Sequence, residues 1–256
     1  MKLTKLKEVA LYVVSLSLTI IVWDISSRWF VNPKLVPPPS LVAVAAWEML
    51  VSLELFQHAA KSLQRIFVGY FLGASLGILV GIVMGWIPLV RKLIDPPLTL
   101  IRQVPPVAVI PLAIVWFGIG ETSKYVVIFY GVLVVVLINT VAGVRATPEI
   151  RIRAARCLGS GPFRILLTIV LPSAMPYILT AMRLGLGFSF GAVVAAELIA
   201  ADTGIGYLIM QSRFQIQIER MFVGLLALAV LGTVTDQLYH LLVRLTMRRF
   251  TMPQKS

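Results

Sequence analysis

Between Ile66 and Ile87 the chain runs for 22 residues without a charge, closed by Pro88 and the cationic pair Arg91-Lys92. An α-helix needs about 20 apolar residues to cross the roughly 30 Å hydrocarbon core of a bilayer, so this run commits the chain to a membrane-spanning helix. Within it Gly69, Gly73, Gly77, Gly81 and Gly85 recur at every fourth position. On a helix they share one slowly drifting ridge, along which another helix approaches closely with no side chain in the way. The pattern specifies tight packing and leaves its partner open between this chain and a second copy.

The rest of the sequence has the same character. Of 256 residues, 59% are hydrophobic and 13% charged, about half the charged share of a soluble domain. Lys and Arg number 23 against 11 acidic residues, a net +12. Because the cations flank apolar runs, membrane topology explains them better than nucleic acid does. The one cysteine, Cys157, excludes an internal disulfide and any CxxC site, and is read as a small residue in a tight loop.

Lys2, Lys5 and Lys7 precede an apolar stretch from Val9 to Trp23 that has the outline of a signal peptide, but no A-x-A site follows, so it is taken as an uncleaved first span. Leu35-Val36-Pro37-Pro38-Pro39-Ser40 makes an extended connector. Ser40 is placed as N-cap of the segment Leu41 to His58, where Trp47, Glu48, Glu54 and His58 among apolar residues predict an amphipathic interfacial helix. From Asp95 to Glu121 the chain is punctuated by Pro96, Pro97, Pro105, Pro106 and Pro111. Two readings stay open there: a bent helix beside a pathway, or a helix that begins near Pro106 and kinks at Pro111. Tyr125 to Val144 gives a further 20 uncharged residues, with Asn139 either bonding a neighbouring helix or lying at the interface.

Only one crossing fits between Arg164 and the turn Asp202-Thr203-Gly204, although Ile165 to Met182 and Leu184 to Ala201 compete for it. Gly206 to Arg220 is mixed and is expected near the surface. Met221 to Val243 is the last span, interrupted by Asp236. The expected fold is all-α: a polytopic membrane protein of about six transmembrane helices, with an amphipathic interfacial helix. A single transmembrane domain covers 1–256, with its core at about 66–249.

With a cytoplasmic N-terminus and six spans, fourteen cations fall inside: Lys2, Lys5, Lys7, Arg91, Lys92, Arg145, Arg151, Arg153, Arg156, Arg164, Arg244, Arg248, Arg249 and Lys255. Seven fall outside: Arg28, Lys34, Lys61, Arg65, Lys124, Arg213 and Arg220. That balance follows the positive-inside rule and puts both termini in the cytoplasm. Arg102, Arg183 and Asp236 are placed near the inner boundary, where snorkelling is cheap, and Glu197 is read as an interfacial acid.

Several chemistries are missing from the sequence. There is no GxxxxGK[ST] loop, since Gly159-Ser160-Gly161 runs into Pro162-Phe163, so no ATP hydrolysis by that route is expected. His58 and His240 belong to no HExxH, and no GxSxG occurs. The chain is not expected to be an enzyme or to hold a metal, and no solute-binding residue stands out.

The stretch Arg153 to Pro172, RAARCLGSGPFRILLTIVLP, is a basic, glycine-broken segment among apolar runs. Arg153-Ala154-Ala155, then Gly159, then Ile169, then Leu171-Pro172 resembles, in full spacing, the EAA---G---------I-LP loop of ABC importer permeases, with Arg153 replacing the leading Glu. The resemblance extends from about Leu35 to Arg249 through LVPPPS, RQVPPVAVIPLAIVWFGIGETSK, INTVAGVR and LPSAMPYILTAMRLGLG, which look like the nitrate, taurine and alkanesulfonate branch.

The resemblance implies a bacterial inner-membrane permease that works as a homodimer with two ABC ATPase subunits. An extracytoplasmic solute-binding protein would feed it, and ATP and Mg would belong to the ATPase. It also implies that residues of about 146–172 form two short coupling helices, turned at Gly159, that insert into the ATPase. Ala154 and Ala155 then offer a flat contact surface, and Pro172 ends the second helix with the crossing beginning near Ser173. Solute choice is expected to lie in the binding protein. A self-powered secondary transporter, the alternative, predicts midplane acids and an internal repeat, neither of which stands out. For a non-transport scaffold the loop would be only a basic loop.

Overall fold

The computed structural model describes residues 2–30 and 35–247. Lys34, Arg248, Arg249 and Lys255 lie outside the described residues. In chain order the helices are α1 (Lys2–Ile25), α2 (Pro39–Val51), α3 (Glu54–Trp86), α4 (Pro88–Ile101), α5 (Pro106–Phe117), α6 (Glu121–Arg145), α7 (Glu149–Cys157), α8 (Pro162–Ile165), α9 (Leu171–Ala200), α10 (Ile205–Phe214) and α11 (Ile218–Thr246). A π-helical turn, Leu166–Val170, joins α8 to α9. No strand occurs among the described residues.

Among the described residues four helical stretches are long and apolar enough to cross a bilayer: α3, α6, Pro162–Ala200 and α11. α4 and α5, bent by 95° at their junction, form a fifth if taken as one broken span. α1, at 24 residues, has the length of a further one at about 1.5 Å per residue.

Local chemistry sets the boundaries. Pro38 in the extended region and Pro39 at the first helical position start α2, because proline's fixed φ suits that position and its missing N–H is not needed there. Ser40, expected as the cap, therefore lies inside the helix. Leu53 in the left-handed region (φ 62) turns the chain from α2 into α3, so the interfacial segment expected over 41–58 is divided between two helices. The polar content of α2 is slight: its packed face carries Val42 and Met49, and its open face carries Leu41, Val44, Trp47 and Leu50.

α3 and α6 form the centre. The glycine ridge of α3 faces α6, where Ile128, Val132, Val136, Thr140 and Val144 also recur every fourth residue. A Cβ added at Gly69 would lie 2.6 Å from the Ile128 Cβ, at Gly73 2.7 Å from the Phe129 carbonyl oxygen, at Gly81 2.7 Å from the Thr140 Cβ and at Gly85 2.6 Å from the Val144 Cβ. The β-branched side chains thus occupy the volume that α3 leaves empty, and the ridge is spent within one chain.

α9 closes the other side of α6. There Gly143 gives way to Tyr177, and Gly185 lies against Val132 and Val136. Both hydropathy windows that competed between Arg164 and Asp202 fall in one continuous helix. The segment expected near the surface is so only in part: Arg213 to Ile216 are exposed, whereas Ile205, Leu208 and Ser212 of α10 are buried, and Leu208 joins Val223 of α11 and Val42 and Met49 of α2 in a small apolar cluster. Asn139 bonds its own helix, Nδ2 donating to the Val135 carbonyl at 2.8 Å.

The seam makes a sharp test. Gly73→Val should destabilise the fold by about 1–3 kcal/mol or more, since backbone rather than a flexible side chain blocks the new atoms. Gly187→Ala on α9, with nothing within 4 Å of its added Cβ, should leave stability unchanged or raise it by up to about 1 kcal/mol. Thr140→Val should be neutral or stabilising, because the Thr140 hydroxyl is buried without a partner. Thermal midpoints in detergent check all three.

Candidate functional site

Three places in the described structure carry polar or exposed groups that packing alone does not call for. The first is the loop from α7 to α9. α7 ends in a left-handed glycine, Gly159 (φ 77), with Gly159 N–H donating to the Arg156 carbonyl at 2.9 Å and Ser160 N–H to the Ala155 carbonyl at 3.0 Å. This is a Schellman stop, which satisfies the last carbonyls and reverses the chain. Ala155 then packs inward with Ile165, Val170, Ala174 and Val144, anchoring the loop to the ends of α6 and α9.

Of the two alanines only Ala154 faces out, so the expected flat two-alanine surface is corrected: Ala155 belongs to the anchor. The outer face instead carries Ile150, Leu158 and Phe163, exposed by 73%, 85% and 69%. Cys157 is exposed at the end of α7. Arg153 reaches back one turn to Glu149 at 2.6 Å, both in solvent.

The second helix does not end at Pro172 as expected. Helix continues from Pro162 through Ala200, because the π-turn places the Leu171 N–H on the Leu166 carbonyl. The extra residue per turn absorbs the proline's missing donor and bulk without a break. Ile169 is half-buried against the same anchor, and Leu171 and Pro172 are half-buried in the first turn of α9.

The second place lies at the opposite end of the long helices. Arg65 of α3 and Glu197 of α9, exposed by 0% and 1%, are buried together. Arg65 Nε and Nη2 donate to the two carboxylate oxygens of Glu121 at 2.8 and 2.6 Å, Nη1 donates to Glu197 at 2.8 Å and to the Thr203 carbonyl at 2.5 Å, and Nη2 also donates to the Thr203 hydroxyl at 3.0 Å. All five guanidinium N–H groups are thereby used.

Glu197 further accepts from the Ser62 hydroxyl at 2.8 and 2.9 Å and from the Gly206 N–H at 2.8 Å. The Gly204 and Ile205 N–H groups donate to His58 Nδ1 at 3.0 Å and to the Ser62 hydroxyl at 2.9 Å. These three N–H groups are the free donors at the start of α10, capped here by side chains of α3 and α9. Gly204 (φ +115) is required twice over, since a Cβ there would sit 2.4 Å from the Glu197 carboxylate.

With Lys124 Nζ 3.2 Å from Glu121, two cations meet two carboxylates and the set is neutral. The sequence hinted at it only through charges at the margins of uncharged runs; Arg65 and Glu197 are 132 residues apart.

The third place is the middle of the spans. Arg183 and Asp236, expected to snorkel separately, form a two-pronged ion pair between α9 and α11, with both contacts at 2.7 Å. Arg102 and Gln103 lie in the break between α4 and α5 and are exposed. The structure places α5's start at Pro106, in agreement with one reading of the proline-rich run, and bends the pair there, in agreement with the other. No group of three His, Cys, Asp or Glu among the described residues is placed to hold a metal ion.

Long apolar helices fastened by a glycine seam, with an exposed helical loop at one end, define a polytopic membrane protein. Residues 73–248 match the family described as the binding-protein-dependent transport system inner membrane component, and the chain belongs to that family. It is 36% identical over 90% of its length to 86% of the taurine transport system permease protein of Escherichia coli (strain K12). It is also 36% identical over 88% of its length to 82% of the putative aliphatic sulfonates transport permease protein of Bacillus subtilis (strain 168). To 87% of the nitrate import permease protein of Synechococcus elongatus it is 33% identical over 88% of its length.

The fold is that of a chain in inward-facing structures of the MetNI methionine ABC transporter, with a TM-score of 0.64 at 21% identity over 84% of this chain and 99% of that one. The chain is therefore a permease component of an importer, and the secondary-transporter alternative is set aside.

The buried hub yields its own prediction. Arg65→Met leaves Glu197 buried without its cation, at a cost of about 3–5 kcal/mol. Adding Glu197→Gln to Arg65→Met should recover part of the loss. Glu121, half-exposed, contributes less through solvent screening. Thermal midpoints of the single and double variants in detergent read the coupling.

Proposed function

We propose that this chain, as a homodimer, is the membrane path of an ATP-driven importer for a small solute bearing a sulfonate or similar oxyanion, with the α7–α8 loop docked on a separate ABC ATPase. The observation that carries the docking is the exposed apolar set Ile150, Leu158 and Phe163 on a helix pair whose other face is fixed to the core through Ala155 and Ile165. The anchor gives a rigid element, and the outer side chains give a knob that an apolar cleft would bury. Glu149, one turn before Arg153 and on the same face, supplies the carboxylate that Arg153 displaces from the family's pattern.

Solute chemistry comes from the taurine, sulfonate and nitrate permeases that the chain resembles, and an extracytoplasmic binding protein would deliver the solute. Arg145, Arg151, Arg153, Arg156 and Arg164 gather at the α7 end, and by the positive-inside rule this supports a cytoplasmic position for that end, and for both termini, in a bacterial inner membrane. Homodimerisation is supported by the Arg183–Asp236 pair, whose side chains are 45% and 36% exposed near the middle of two spans. Lipid is a poor neighbour for such charges, so a second copy or an aqueous path must cover them. Tyr177, Thr180, Leu184, Gly187 and Gly191 form an open stripe along α9.

Leu158→Asp and Phe163→Asp should leave membrane abundance unchanged, because neither side chain supports the fold. Each should lower capture of the ATPase from solubilised membranes by about 10-fold or more, the loss expected of a central interface anchor, with taurine or nitrate uptake falling in parallel. Undiminished capture by both variants overturns the docking assignment.

A further inference from the structure

The junction of α4 and α5 puts polar groups where a bilayer-spanning protein rarely has them. Its depth is fixed by contacts: Pro106 Cγ lies 3.1 Å, and Phe188 Cδ1 3.5 Å, from where a Cβ on Gly131 would stand. The break therefore sits beside the middle of α6 and α9. The helical i+4 donors to the Ile101 and Arg102 carbonyls are missing, because those positions are Pro105 and Pro106, which have no N–H, and only a turn bond from the Val104 N–H, at 3.0 Å, reaches Ile101 from the backbone. Tyr130 answers part of this need, its hydroxyl lying 2.7 Å from the Ile101 carbonyl and 2.9 Å from the Val104 carbonyl. Such backbone is tolerated at membrane depth only against protein or a water-filled cavity.

Charge pairing singles out Arg102. Arg65, in the hub at the helix ends, is matched with carboxylates at 2.6 and 2.8 Å, and Arg183, near the middle of α9, with Asp236 at 2.7 Å. Among the described residues no ion pair reaches Arg102, which stands exposed with Gln103 at the break. A lone guanidinium at this depth is costly unless water or an anion meets it. Its planar fork fits two oxygens of a sulfonate, nitrate or carboxylate, and the neighbouring amide adds two further donors.

We propose that the α4–α5 break is a station of the solute path at which Arg102, assisted by Gln103, recognises the oxyanion of the solute, with Tyr130 as a positioning residue that holds the break open. This rests on the permease reading above. It accounts for a broken span, for a proline pair that withholds helical donors, and for one unneutralised cation at the same break.

The test uses cells that lack their own sulfonate and nitrate importers and carry the whole transporter, offered taurine, ethanesulfonate and nitrate separately. Arg102→Gln should lower uptake of the transported anion by about 10- to 100-fold, the factor a lost charge-assisted hydrogen bond carries. Arg102→Lys, which keeps the charge but not the fork, should fall between Arg102→Gln and the wild type. Chain abundance and ATPase capture should stay at the wild-type level in both.

Wild-type uptake by Arg102→Gln, with ATPase capture normal, overturns the anion station alone. Equal loss in Arg102→Gln and Arg102→Lys together with reduced abundance shows a structural cation and overturns it as well. Import of none of the three anions by the wild-type transporter overturns the oxyanion assignment. Failure of the wild-type chain to capture an ATPase overturns the permease reading and this proposal with it.

Discussion

Everything in this structure depends on how closely α3 approaches α6. Lipid is as apolar as a leucine side chain, so spans gain little from burying hydrophobic surface against each other and must gain from contact. Each glycine costs a helix in water about 1 kcal/mol relative to alanine, yet α3 carries five on one ridge. They are sustained because every one admits a β-branched side chain or a backbone carbonyl of α6. The rigid rotamers of Ile128, Val132, Val136 and Val144 lose little freedom on docking into that groove. Shape decides even where polarity suffers, as the unpartnered Thr140 hydroxyl shows.

A seam of regular repeats has one weakness: it can slip by a turn and still fit. The hub at one end removes that freedom. Arg65 reaches Glu121, Glu197 and Thr203 at once, and no other register of α3 along α6 would bring all three within reach. Glu197 also caps α10 through the Gly206 N–H, so the same carboxylate fixes the α9–α10 corner. A neutral, fully bonded charge set fits a role as registry device better than as a source of stability, since buried ion pairs barely repay their desolvation.

Much of this was legible in the residues. The uncharged runs marked α3 and α6, and the glycine period marked the tight face. The reciprocal signal, five β-branched positions at the same period in α6, was equally present and names the partner; it needed only to be set beside the first. Local rules also mark the stop at Gly159 and the start of α5 at Pro106. What local rules miss depends on distance along the chain. Nothing near Arg65 says that its acids lie at positions 121 and 197, and nothing near Arg183 points to Asp236. Pro172 departs from local expectation for another reason: a proline is a helix breaker only if the preceding turn cannot widen, and the π-turn at Leu166–Val170 does.

The distribution of packing says where motion within one chain can occur. The loop at α7 is fixed by Ala155 and Ile165 to α6 and α9, with Ile82 and Trp86 of α3 against the same cluster. From there the seam runs without interruption from Gly85 to Gly69, and the hub closes the far end. A force applied at α7 therefore reaches the hub through contacts already at their limit of approach, and α3, α6 and α9 respond as one body. By contrast α4 has no buried residue, and its tie to that body is short. α5 belongs to the body through Ile110, Ala113 and Val127, and Tyr130 holds the junction at Ile101 and Val104. Relative motion inside the chain is then expected at residues 102–105, where the packed body meets a loosely held helix and where the α-helical ladder gives way, after the Arg102 N–H to Leu98 bond, to single-turn bonds from Gln103 to Leu100 and from Val104 to Ile101.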